Sequence, residues 1–201
     1  MRSREALVAF AAALAAAAYF PLNVPRGTPD LLLGSLEEGL PVVPVLAVPY
    51  LLILPVFWAL VVRGLVAPGQ DERSRNSFRV FLVAALIAFV VSDLVFLAFP
   101  TVVPRPSGFG GVMAGLLQWI YDHDNRFNDL PSGHAAMATL LFLYARSLRT
   151  RVWRWAAWGL AVCALVATLL LRQHSVWGAA AGVVLASSAW WMARRVWGGR
   201  V

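Results

Sequence analysis

An all-α bundle of about six membrane-spanning helices is the fold class predicted here. Three observations predict it: the composition, the spacing of the apolar runs, and the ends of those runs at which the arginines gather. Of 201 residues, 60% are hydrophobic and 13% charged, far from the make-up of a soluble domain. A net charge of +7 would suggest nucleic acid in a soluble protein. Here the positive residues fall between apolar runs rather than along one face, which favours the lipid bilayer as partner over nucleic acid. The single cysteine, Cys163, lies inside an apolar run, so neither a disulfide nor a cysteine-based zinc site can form within one chain.

The apolar runs at 5–24, 41–62, 79–100, 134–148, 152–171 and 174–192 mostly approach the ~20 residues that cross a hydrocarbon core of ~30 Å. The first continues through "AAALAAAAYFPLNVP" without a clear cleavage site and is read as a retained anchor, not a signal peptide. The fourth is the shortest, because it starts in a polar stretch and stops before the arginines at 146–154. "APGQDERSRNS" at 67–77 reads as an inner linker and "VPRGTPD" as an outer turn. In "GFGGVMAGLLQWIYDHD", Val112, Met113, Leu116, Leu117 and Ile120 recur at helical spacing and predict an interfacial helix roofing an outer site. "DLLLGSLEEG" at 30–39 predicts a second interfacial helix, and Trp190 and Trp191 read as interface anchors. No second domain or repeat is visible, so residues 1–201 form a single transmembrane domain.

Counting arginines across the connections gives the orientation. With the N-terminus cytoplasmic, Arg2, Arg4, Arg63, Arg73, Arg75, Arg79, Arg146, Arg149, Arg151, Arg154, Arg194, Arg195 and Arg200 lie inside, while only Arg26, Arg105, Arg126 and Arg172 lie outside. The positive-inside rule selects this arrangement over its inverse. The connections that carry chemical residues, 101–133 and the turn near 172, then share the outer face.

Those connections hold a coherent set. "VPRP" supplies Arg105, "LPSGH" supplies Ser132, Gly133 and His134 at the start of the fourth run, and "LLLRQHSV" supplies Arg172 and His174. A Ser-Gly turn entering a helix N-terminus presents free N–H groups and a partial positive charge, which suits an anion. Two arginines add charge-assisted, bidentate donors for phosphate oxygens. Imidazoles titrate near neutral pH and serve both as nucleophile and as proton donor. The set describes phosphoryl transfer. "DHD" at 122–124 reads as solvated loop, since three successive residues do not make a metal cage.

The ordered motifs "PRP", "PSGH" and a late basic-x-His resemble the type 2 phosphatidic acid phosphatase superfamily over about 105 to 182, as does the six-span layout. The resemblance implies that His174 attacks phosphorus to give a phosphohistidine and that His134 protonates the leaving group. Arg105, Ser132, Gly133 and Arg172 would hold the phosphate, with no metal or other cofactor. It further implies a lipid phosphatase or phosphotransferase of the cell membrane, cleaving a phosphate ester or diphosphate of a membrane lipid on the extracytoplasmic side, both termini being cytoplasmic.

The departures are specific. Ala98 stands where the family's first motif has lysine, and Thr168 stands six places before His174, where the family has Ser-Arg ahead of the histidine. Arg172 two places before His174 resembles the "KQH" form of the inositol-phosphoceramide-synthase-like branch. Gly178 stands four after His174, where the family has an aspartate that orients the imidazole. Asp93, inside the third run, is the candidate replacement, because an ionisable group at membrane depth is a functional suspect by default. Asp122, Asp124 and Asp129 are the alternatives from the outer loop. On this reading Gly178→Asp either raises turnover or leaves it unchanged. The competing reading is a catalytically impaired lipid-phosphate-binding or scaffold protein of the same fold.

The arginine distribution makes a direct prediction. A cysteine introduced as Ser107→Cys reacts with a membrane-impermeant thiol reagent in intact cells, and labelling only after lysis would reverse the orientation.

Overall fold

Inside a bilayer there is no water to satisfy main-chain N–H and C=O groups, so an apolar run must close its own hydrogen bonds. All six runs do so as helices. The computed structural model of the protein describes residues 2–28, 30–31, 38–66 and 71–197. Its longer helices are α1 (Arg2–Leu22), α2 (Ala47–Val66), α3 (Glu72–Ala98), α4 (Ala114–His123), α5 (Gly133–Ala145), α6 (Arg151–Leu170) and α7 (Val176–Trp197), with a 3-10 turn at Pro44–Leu46 leading into α2. Five of these, all but α4 and α5, are long and apolar enough to cross a membrane. The protein is an all-α membrane bundle.

The sixth expected span is α5, and it is short. Its 13 residues rise roughly 20 Å, below the ~30 Å of a hydrocarbon core. A helix enclosed by protein need not match the bilayer. α5 packs against α3, α6 and α7, and Ala135, Ala136, Leu140 and Leu141 are fully inaccessible. Small residues permit this crowding, as is usual where membrane helices meet. α6 buries Ala157, Ala161, Ala164 and Ala167 along one face. α7 carries "GAAAG", Gly178 to Gly182. A Cβ on Gly182 would strike the main chain of Ser132 and Ala136 and the side chain of Ala135, so glycine there lets α7 lie directly against the first turn of α5.

Two expected boundaries move. α3 starts at Glu72, not at 79, because Asp71 caps it by accepting the Ser74 N–H at 2.7 Å. Residues 72–77 of the expected linker are therefore helix, while 67–70 lie outside the described residues. Arg79 then reaches Glu5 at 2.7 Å and ties α3 to α1. Of the expected helix at 30–39, Asp30–Leu31 form a short strand paired in parallel with Thr101–Val102, Glu38 and Gly39 are helical, and 32–37 lie outside the described residues. Val102 also bridges to Phe127. These short strands and α4 sit where α1, α3 and α6 end and α2, α5 and α7 begin, the end of the bundle that carries both candidate histidines.

Candidate active site

Ser132 caps α5, its Oγ accepting the Ala135 N–H at 3.2 Å. Its own N–H donates to Gly178 O at 2.9 Å. Ser132 is fully buried, so its contribution is the turn itself. The donors left at the start of α5 are the N–H groups of Gly133 and His134, which a helix cannot satisfy internally. The His134 ring stacks on Tyr50 of α2, with centroids 3.8 Å apart and planes 14° from parallel. His174 lies in the turn between α6 and α7, 6.4 Å from His134 between ring centroids.

The turn holding His174 is strained into shape. Arg172 has a left-handed backbone, φ 51°, which a non-glycine residue rarely adopts. Both the Gln173 and His174 N–H groups then donate to Thr168 O, at 3.1 and 3.0 Å. On the far side of the ring, Nδ1 meets the Asp129 main-chain O at 3.0 Å and its Oδ1 at 3.4 Å. A carbonyl only accepts, so Nδ1 carries the proton and Nε2 keeps its lone pair. The Asp129 carboxylate also accepts from the Ser175 N–H at 2.8 Å and from its Oγ–H at 2.5 Å, while Ser175 Oγ accepts the Gly178 N–H at 2.9 Å.

Asp129 therefore stands where Asp93 was expected. Asp93 lines the same cavity but reaches neither histidine, whereas Asp129 meets His174 and is almost fully buried. Gly178 follows from this. A Cβ there would collide with the Asp129 carbonyl and carboxylate oxygens, so the expectation that Gly178→Asp is harmless or helpful is overturned. The position is occupied by a carboxylate arriving from the other side.

A cavity of about 390 Å³ opens beside the histidines. Ala13, Ala16, Leu51, Leu54, Trp58 and Phe89 form its apolar wall, between α1, α2 and α3. Tyr19, Tyr50, Gly133, His134, Asp124 and His174 form its polar end. Trp119, Ile120 and His123 of α4 roof it, as the apolar spacing of that helix predicts, and Tyr121 fastens the roof by donating to Leu171 O at 2.7 Å. Burial pushes the Tyr121 phenol up to about 12. The 122–124 stretch is not simple solvated loop. Asp122 faces Gln118 at the surface, but Asp124 turns inward and accepts from Tyr19 Oη at 3.0 Å and Asn23 Nδ2 at 2.8 Å. Burial raises its carboxyl above the usual range.

The two candidate arginines lie outside the cavity wall. Arg105 donates through its Nη atoms to the carbonyls of Tyr121 (2.8 Å), Asp124 and Asn125 (3.1 Å) and to Gln173 Oε1 (3.0 Å). Arg172 donates to Leu40 O at 2.8 Å. Each keeps a buried Nε without a partner, as do Gln173 Nε2 and Tyr50 Oη. Buried polar atoms are rarely left unpaired in a finished structure; of these four, Tyr50 stacks on His134, Arg172 and Gln173 precede His174 in the chain, and Arg105 reaches the site through Gln173.

A family model described as the PAP2 superfamily matches residues 31–192. The chain belongs to the PAP2 superfamily. No curated protein and no solved structure gives a match. Members of the superfamily are in general phosphatases, which supports phosphoester chemistry for this chain at a coarse level. Sequence reasoning missed Tyr50, Asn23, Ser175 and Gln173. Tyr50 and Asn23 carry no motif, but Gln173 and Ser175 flank His174, and "GAAAG" was a readable sign of close helix contact.

These contacts rank three variants. Asp129→Asn lowers phosphatase turnover by roughly 10–100-fold, the scale of lost partners behind a functional histidine, borrowed from metal sites. Asp93→Asn leaves it within about twofold. Gly178→Asp lowers thermal stability as well as turnover, overpacking typically costing ~1–3 kcal/mol. Equal losses for Asp93→Asn and Asp129→Asn, or an unshifted melting temperature for Gly178→Asp, would contradict the geometry.

Proposed function

We propose that this protein is an integral membrane lipid phosphatase or phosphotransferase that cleaves a phosphate ester or diphosphate through a phosphohistidine on His174, at the extracytoplasmic face. The observation that carries this reading is the cavity. An apolar wall suited to an acyl or prenyl chain leads to two imidazoles 6.4 Å apart, over the unpaired N–H groups that begin α5. Attack needs an approach of ~3–3.5 Å and proton transfer a hydrogen bond of ~3 Å. A gap of this size suits one phosphorus centre between the rings.

The steps follow from the tautomer. Nε2 of His174 attacks phosphorus, the bond to the lipid oxygen breaks, and His134 gives its proton to that oxygen. Water or another hydroxyl then attacks the phosphohistidine, its proton passing to His134, and His174 is regenerated. Which acceptor arrives decides between hydrolysis and transfer. The N–H groups of Gly133 and His134 receive the phosphate oxygens at the positive end of α5. Arg105 and Arg172, the phosphate ligands that the resemblance implies, stand behind this site with their Nη atoms on main-chain carbonyls and join the cradle by exchanging those carbonyls for phosphate oxygens. The impaired-scaffold reading drew its motive from the glycine at 178, and with Asp129 behind His174 that motive falls away.

Purified protein in detergent without added metal is to be tested on phosphatidate, lysophosphatidate, phosphatidylglycerophosphate and polyprenyl diphosphate. At least one is expected to release phosphate, and vanadate to inhibit. His174→Ala abolishes turnover and phosphoenzyme together, while His134→Ala slows chiefly substrates with poor leaving groups. Near-normal activity of His174→Ala would overturn the assignment.

A further inference from the structure

At the end of the bundle opposite the histidines lies a second cavity, of about 800 Å³, roughly twice the size of the first. It is lined by Arg73 of α3, Arg146 and Arg149 after α5, Arg154 of α6 and Arg194 of α7. Among the described residues, Asp71 is the one carboxylate on its wall. Asp71 pairs with Arg149 at 2.8 Å, both side chains being well exposed, so this bond contributes little. Arg73, Arg146, Arg154 and Arg194 pair with no carboxylate among the described residues. Arg154 is the most enclosed of the five. It donates to Leu148 O at 3.0 Å and keeps a buried Nε without a partner.

Four guanidinium groups without a carboxylate partner around one cavity create a positive potential that attracts an anion. Guanidinium geometry suits phosphate, bound through paired N–H donors, and Ser74, Ser77 and Ser147 add neutral donors on the same wall. The remaining wall speaks for a lipid over a soluble ion. Val80, Leu143 and Trp190 belong to the membrane helices, and the neighbouring Trp191 stands exposed with Arg195 3.9 Å above its ring. Aromatic side chains mark the headgroup level. Basic pockets between membrane helices are where anionic headgroups bind.

We infer that this cavity binds the phosphate-bearing headgroup of an anionic phospholipid, drawn from the leaflet opposite the histidine site and distinct from any substrate. The bound headgroup clamps the ends of α3, α5, α6 and α7 together. The inference does not rest on the catalytic reading, since none of its residues touches that site.

Thermal unfolding of the full chain in detergent tests it, with phosphatidylglycerol, phosphatidylcholine and inorganic pyrophosphate as probes. Phosphatidylglycerol is expected to raise the melting temperature saturably while phosphatidylcholine does not. Arg146→Gln with Arg194→Gln, both exposed positions, weakens that binding by roughly fivefold per arginine, about 25-fold for the pair. The corresponding lysine pair retains most of it, and His174→Ala retains all of it. A phosphatidylglycerol shift unchanged in the glutamine pair, or lost in His174→Ala, would overturn the proposal. An arginine-dependent shift given by pyrophosphate and not by the lipid would overturn the lipid assignment in favour of a soluble phosphate compound.

Discussion

The contact on which the site depends is that of a buried carboxylate, Asp129, with the N-terminal end of α7. An uncompensated carboxylate in so dry a place would cost several kcal/mol. This one is compensated by the Ser175 N–H and Oγ–H and by the positive end of the helix dipole. Three consequences follow from the one placement. The Asp129 carbonyl holds His174 Nδ1 and so fixes which nitrogen is free. The oxygens of Asp129 exclude any side chain at 178. Three residues on, Ser132 caps α5, so the carboxylate that positions one histidine also fixes where the helix bearing the other begins.

Charge and size divide the bundle along its length. At one end small residues let α5, α6 and α7 crowd together, and the cavity keeps an apolar wall to which α1 contributes Ala13, Ala16 and Phe20. At the other end arginines from four elements face a single space. α5 runs between the two, with its N-terminal N–H groups beside the histidines and Arg146 at its C-terminal end. A short, enclosed helix is thus the element through which the two anion-friendly regions are spaced.

Much of this was legible in the chain. Helices follow from apolar runs of bilayer length, the roof from the spacing of Leu116, Leu117 and Ile120, and the histidine pair from "PSGH" and "RQH" on one face. The carboxylate was legible only as one of four candidates, Asp93, Asp122, Asp124 and Asp129, for a physical reason. Local spacing can report a partner one helical turn away, which is why Gly178 looked like a gap and Asp93 a substitute. Asp129 reaches His174 across 45 positions by tertiary packing, and no period in the sequence encodes that. The arginines mislead in the same way. Their presence is plain, but the Arg105 Nη atoms are turned by carbonyls at the end of α4, and only packing determines that. The extent of α3 was misjudged because an Asp71 cap overrides a stretch of linker-like composition.

The central claim is that Asp129 fixes the tautomer of His174 so that Nε2 faces the phosphate. The position of the phosphoryl group on the ring tests this most directly. Phosphoenzyme trapped from ring-15N-labelled protein and read by 31P and 15N NMR is predicted to carry phosphorus on Nε2 of His174, with Nδ1 still protonated. Phosphorus on Nδ1, or on a residue other than His174, would contradict the account.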